Sequence, residues 1–127
     1  MNTLKSSKGF TLIEIIAVLV ILGILAAVAV PKYISLADDA KNKAAQGAVA
    51  AAKSALSMRY AQKLLADSSA PVATAVVTGM ETNCGVGAGD FTVSCTGDDG
   101  TKVVTITAKG ASANVTGGTA TGTFTLP

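Results

Sequence analysis

One uninterrupted apolar run limits what this chain can become. Residues 10–30 read FTLIEIIAVLVILGILAAVAV, and 18 of these 21 are apolar; Thr11, Glu14 and Gly23 are the exceptions. At about 1.5 Å per residue a helix of this length spans roughly 30 Å, the thickness of a bilayer's hydrocarbon core. Fourteen of the residues are Phe, Leu, Ile or Val. At about −0.3 to −0.6 kcal/mol each near the helix centre, they outweigh the few kcal/mol that one carboxylate costs. The preceding MNTLKSSK carries Lys5 and Lys8 and no acid. The positive-inside rule therefore keeps this end in the cytoplasm. The expected precursor is single-pass in the cytoplasmic membrane, with its C-terminal remainder outside the cytoplasm.

Two ordinary explanations compete for this run. A secretory signal peptide would fit the basic flank, and Ala27-Val28-Ala29 looks like a small-residue cleavage site. The run is longer than a usual signal core, however, and Glu14 lies inside it. A simple membrane anchor explains the length but leaves Glu14 as an unpaired acid in lipid. An ionisable residue at that depth points to function.

The rest of the composition excludes more than it suggests. The chain has 127 residues, no His, no Trp and two Cys. Histidine triads, histidine bases and histidine-ligated metals are excluded. Two cysteines do not fill a four-coordinate zinc site. No catalytic residues, metal or cofactor are expected. The net charge of +2 is too small to argue for nucleic acid as the main partner.

Pro31 follows the apolar run, and residues 32–66 are dominated by alanine, the best helix former. Asp39 and Lys43 stand at i,i+4 in the supportive order. Val49, Ala52, Leu56, Tyr60 and Leu64 recur at spacings of 3, 4, 4 and 4, one apolar stripe with Lys53, Arg59 and Lys63 off it. This predicts one helix over about 10–66. Gly23 weakens it, and Pro31, which lacks an N–H and clashes one turn back, kinks or loosens it. At full helicity it would be roughly 85 Å long, too long to be buried by a head of about 60 residues.

The composition switches at Asp67. DSSAP should end the helix, with Pro71 as the stop signal. FTVSC (91–95) and KVVTITA (102–108) alternate across TGDDG, where Asp99-Gly100 signals a hairpin. ATGTFTL (120–126) is a third expected strand and ASANVTG (111–117) a fourth; residues 72–90 show no legible pattern. The expected fold is α+β. A long N-terminal helix protrudes in its first half and packs in its second half against a small antiparallel sheet. The segments are 1–9, 10–31, 32–67 and a head over 68–127. Cys84 and Cys95 lie eleven apart on the side of the membrane where disulfides persist. A bridge would staple a head short of large apolar side chains, contributing about 3 kcal/mol in the chain-entropy picture.

KGFTLIEIIAVLVILGILAAVAVPKY (8–33) resembles the N-terminus of type IV pilins and of the related type II secretion pseudopilins. The run PKYISLADDAKNKAAQG is also similar to mannose-sensitive haemagglutinin-type pilins. The resemblance implies that a prepilin peptidase cuts after Gly9, giving a 1–9 leader, and N-methylates the new amine on Phe10. It implies that Glu14 pairs with the N-terminal amine of a neighbouring copy, and that the stretch from Gly23 to Pro31 loosens on assembly. The implied partners are further copies of the chain, the peptidase and the pilus assembly machinery, with the membrane holding the precursor. One departure from the commoner pilin class is that Cys95 lies 32 residues before the C-terminus.

The physical chemistry runs the same way. A cation on Phe10 and an anion one turn along attract strongly in an apolar setting. Leaving either buried and unpaired costs roughly 3–5 kcal/mol. A neighbour completes the pair only at the correct axial offset, so packing holds the helices while the charges set register. The small residues Gly23, Ala26, Ala27 and Ala29 allow close approach. The expected function is a pilus subunit for adhesion or motility; a secretion pseudopilin and a secreted soluble binding module are the alternatives. Asp98-Asp99-Gly100 offers too few ligands for calcium and reads as a turn. Asn114-Val115-Thr116 is a short glycosylation-type sequence, and the five aromatics read as packing.

Overall fold

The computed structural model describes residues 9–80, 83–87 and 89–127. Residues 1–8, which make up the expected leader apart from Gly9, lie outside the described residues. The elements are helix α1 (Leu12–Asp67), helix α2 (Ala73–Val77), a 3-10 turn (Asn83–Gly85), and strands β1 (Phe91–Asp98), β2 (Val103–Gly110) and β3 (Thr119–Thr125). The chain divides into two compact units, one ending at Leu36 and one running from Ala37 to Pro127.

In the first unit nothing among the described residues packs against α1. Every residue from Gly9 to Leu36 is exposed. The helix runs on through Gly23 and Pro31; at Pro31 the missing N–H leaves the Ala27 carbonyl without its usual donor one turn on.

The second unit is α+β, as expected. Strands β1, β2 and β3 form an antiparallel meander in that order, with Cys95 opposite Ile106 and Ile106 opposite Gly122. Alternation places Val93, Val104, Ile106 and Ala108 on the inner face, packed with Ala45, Val49, Ala52 and Leu56 of α1. The buried stripe starts one turn earlier than the sequence spacing suggests. Ala45 is fully buried, Tyr60 is half-buried, and Leu64 is 41% exposed. The position of β3 explains the shift. The Thr119 N–H donates to Asn42 Oδ1 at 3.1 Å, which fixes the strand against an early turn of the helix. Further along, a Cβ on Gly122 would lie 2.6 Å from Val49 Cγ1; only glycine lets the strand lie this close.

Helix α1 stops at Asp67 with Ser68 in the left-handed region (φ 53°). Within the stretch that has no legible pattern lie α2 and the 3-10 turn, and Ala73, Val76, Val77, Met80 and Cys84 join the core. A five-residue helix is too short to show a period. Its start is also capped from far away in sequence. Asp99 Oδ1 accepts the Thr74 N–H at 2.7 Å and Oδ2 the Thr74 hydroxyl at 2.7 Å. Losing this cap in Asp99→Ala should cost the head about 1 kcal/mol, read as a lower urea midpoint.

Two strand expectations need correction. Residues 111–117 are not a strand but a loop that satisfies itself. Val115 N–H bonds Ser112 O at 3.2 Å, Gly118 N–H bonds Val115 O at 2.9 Å, and the Thr116 hydroxyl bonds Ser112 O at 2.8 Å. With local partners available, the segment gains nothing from a ladder. β1 also runs on through Thr96, Gly97 and Asp98, which the TGDDG turn was expected to include. Gly97 stays in the strand because α2 lies against it: a Cβ there would sit 2.6 Å from the Ala73 carbonyl. Asp98 then accepts the Gly100 N–H at 3.0 Å and the Thr101 hydroxyl at 2.9 Å. These bonds, the hydroxyl first, hold its carboxyl below the usual carboxylate range. Their contribution is present above the unfolded-state pKa and fades as pH falls through the lower folded one.

Candidate functional site: the N-terminal assembly face

Helix α1 begins at Leu12, which makes Thr11 its N-cap and Glu14 its third residue. Thr11 O receives the N–H groups of Glu14 at 3.1 Å and Ile15 at 3.4 Å. The Glu14 carboxylate reaches back, its Oε2 accepting the Thr11 N–H at 2.7 Å. This is half of a capping box. Thr11 is a residue that hydropathy passes over, although Thr-x-x-Glu ahead of an apolar run is the signal for such a box. The bond aims the carboxylate toward the end of the helix, back toward Phe10.

Phe10 is 87% exposed, and with Glu14, Ile15, Val18 and Leu19 it lines one shallow groove on the helix. Among the described residues the single ion pair is Lys41–Asp38 at 3.4 Å. Among the described residues, Glu14 thus has a hydrogen bond but no cation. The structure places Phe10 and Glu14 together at the helix start, and Gly23 and Pro31 farther along the same helix.

A second bare surface lies on α1 opposite the head. Ala40, Ala44, Gly47, Ala51, Ser54 and Met58 recur at spacings of 4, 3, 4, 3 and 4, continuing to Ala61 and Leu65. All are exposed, Met58 by 64% and Leu65 by 86%, and none is charged. Sequence periodicity could have found this stripe. It is masked because alanine is so abundant that only the stripe with larger residues stands out.

The cysteines form the expected bridge. Cys84 and Cys95 are joined, with Cα atoms 5.7 Å apart. The bridge ties the 3-10 turn to β1. Asn83 Oδ1 reinforces it by accepting the Val93 N–H at 3.3 Å. Asn83 and Cys84 both hold positive φ, 53° and 52°, a backbone state that non-glycine residues adopt at a cost. No group of three or more metal-ligating acids or thiols occurs among the described residues.

Comparison with known proteins places this geometry. Residues 4–30 match the prokaryotic N-terminal methylation motif. A fimbrial protein of Eikenella corrodens is 35% identical over 114 residues, 88% of this chain and 71% of that protein. The chain belongs to the type IV pilin family. This pilin is also 45% identical over 56 residues to the type IV narrow pilus major component of Thermus thermophilus, 44% of the chain and 48% of that protein. To the type II secretion system core protein G of Pseudomonas aeruginosa it is 52% identical over 54 residues, 42% of the chain and 38% of that protein. The match to each of these two relatives thus spans less than half of the relative's length. No solved structure gives a significant match to the pilin.

Proposed function

We propose that this pilin is the repeating structural subunit of a surface pilus for adhesion or motility, without catalytic activity or cofactor. The observation that carries the reading is the bare start of α1. Leu12 is 81% exposed, Ile13 70% and Val28 64%, and apolar residues occupy all sides of the helix. Such a rod has two stable settings: lipid, as a precursor held in the cytoplasmic membrane, and a bundle of its own copies. The back stripe from Ala40 to Leu65 supports the second setting, because its small side chains let another helix approach closely while the opposite side holds the head.

In this reading a prepilin peptidase cuts after Gly9 and the Phe10 amine is methylated. The assembly machinery moves the helix from membrane to filament. Glu14, already oriented by Thr11, meets the ammonium of a neighbour's Phe10 and selects the axial offset. Gly23 and Pro31 let the helix loosen between the two environments. The disulfide-stapled head and the 114-residue match to a fimbrial protein favour a surface pilus over a secretion pseudopilin, whose matching segment covers 54 residues.

Mass spectrometry of sheared surface fibres tests the reading. The expected subunit begins at Phe10, with the mass of one added methyl group. A mature chain beginning at Val30 would show signal-peptide processing and sink it.

A further inference from the structure

The face of the sheet turned away from α1 is a lattice of hydroxyl groups. Of the twelve outward positions on the three strands, nine are Thr or Ser. The strand register aligns them in rows. Thr96, Thr105 and Thr123 stand in one row, and Ser94, Thr107 and Thr121 in the next. The only charged side chains among the twelve are Asp98 on β1 and Lys109 on β2, at opposite ends of the lattice, so the face carries no net charge and its centre is uncharged. No aromatic ring is on this face. Among the described residues, Ser94 alone of the nine donates its hydroxyl within the protein, to Thr107 O at 3.5 Å. Rows repeat about every 6.8 Å along the strands, and columns about every 4.8 Å across them.

We propose that this face is a binding platform for an extended, neutral polysaccharide chain. The inference goes beyond the filament reading and does not need it. Each hydroxyl both donates and accepts, as sugar hydroxyls do, so many pairings satisfy both sides. Threonine is branched at Cβ and held in few rotamers, so little side-chain freedom is lost on binding. Its methyl group offers apolar contact to the C–H faces of sugar rings. The matched absence of net charge selects against other ligands. Nucleic acid needs a cationic surface, and Val103 is the one apolar side chain on the face, too little for the buried centre of a protein interface. A single platform, with six hydroxyls in its two central rows, is enough for measurable retention on a dense polysaccharide matrix. Repetition along a fibre would raise retention by 100-fold or more, in the usual range of multivalent gain.

Co-sedimentation with cellulose and with agarose particles tests the proposal, using the full-length mature chain in mild detergent and, separately, sheared fibres. The expected result is retention of both preparations on at least one matrix, unchanged between low and 0.5 M salt (roughly a 4 Å screening length). The triple variant Thr105→Val, Thr121→Val, Thr123→Val keeps shape and strand propensity and should lose retention at least tenfold. The matching Thr→Ser triple variant restores the hydroxyls and should recover most of it. No retention of the detergent-solubilised chain on either matrix, retention abolished by salt, or full retention by the valine variant would each overturn the platform. Face-to-face bundling of fibres relieved by the valine variant would overturn it too, assigning the face to a second copy. Because the detergent arm reads the isolated subunit, a failure of fibre formation leaves this result readable on its own.

Discussion

Glu14→Ala is expected to leave the leader processed and the head folded, and to remove surface fibres. The substitution deletes both the carboxylate that a neighbour's ammonium would meet and the acceptor of the Thr11 N–H. An unpaired cation inside an apolar bundle costs roughly 3–5 kcal/mol. At about 1.4 kcal/mol per factor of ten, the subunit-addition equilibrium falls by at least 100-fold. Glu14→Gln separates the two roles. Glutamine still serves at the third position of a capping box, so it keeps the helix start while removing the charge. If register is set by charge, the Gln variant assembles as poorly as Ala. If capping alone matters, Gln restores fibres and the charge pair is wrong. Counting fibres by electron microscopy in cells that contain equal amounts of each processed subunit distinguishes these outcomes. Gly47→Glu is a useful companion: it places a charge on the bare back stripe, away from Glu14, and is expected to reduce fibres while leaving the head's thermal melt unchanged.

What was legible in the sequence follows the strength of each physical signal. The first half of α1 is apolar on every side over 21 residues, and no competing structure accommodates that. The hairpin between β1 and β2 was legible because alternation resumes on both sides of Asp99-Gly100. Its length was not, since Gly97 remains in the strand only through the nearby Ala73 backbone. Helix α2 was illegible for the same reason. Its cap, Asp99, lies 25 residues from Thr74, so no local pattern announces it. Residues 111–117 show the opposite error: Ala-Ser-Ala-Asn-Val-Thr has a strand-like alternation, but Ser112 and Thr116 offer the backbone closer partners. At the candidate site, Glu14 is legible as an acid inside an apolar run, whereas Phe10 as a new N-terminus comes only from the resemblance to pilins. Thr11 and the stripe from Ala40 to Leu65 needed the helix boundary and the head's docking side to be visible.

Complete reduction of Cys84–Cys95 is expected to weaken the head severely while sparing the first half of α1. The largest fully buried side chains are Leu56, Ile106, Val76, Val104 and Cys84 itself; no aromatic ring is fully buried. A core of this kind sits at the low end of the usual stability range of about 5–15 kcal/mol. Releasing a link that closes eleven residues returns about 3 kcal/mol of chain entropy to the unfolded state. For a unit of this size that corresponds to a fall in Tm of roughly 12–24 °C. The effect should also be directional within the head. The 3-10 turn loses its covalent tie to β1 and keeps only the Asn83–Val93 hydrogen bond, while the two backbone positions at positive φ are free to relax. Loosening should therefore begin at residues 83–87 and reach β1 before β2, since β2 is paired on both sides. Every residue from Gly9 to Leu36 is exposed, so in detergent the helical signal of this stretch should persist after the head has melted. Hydrogen exchange with and without reductant, followed by thermal melting, reads both halves of the expectation. An unchanged melt after complete reduction would show that packing against α1, and not the cross-link, holds the head together.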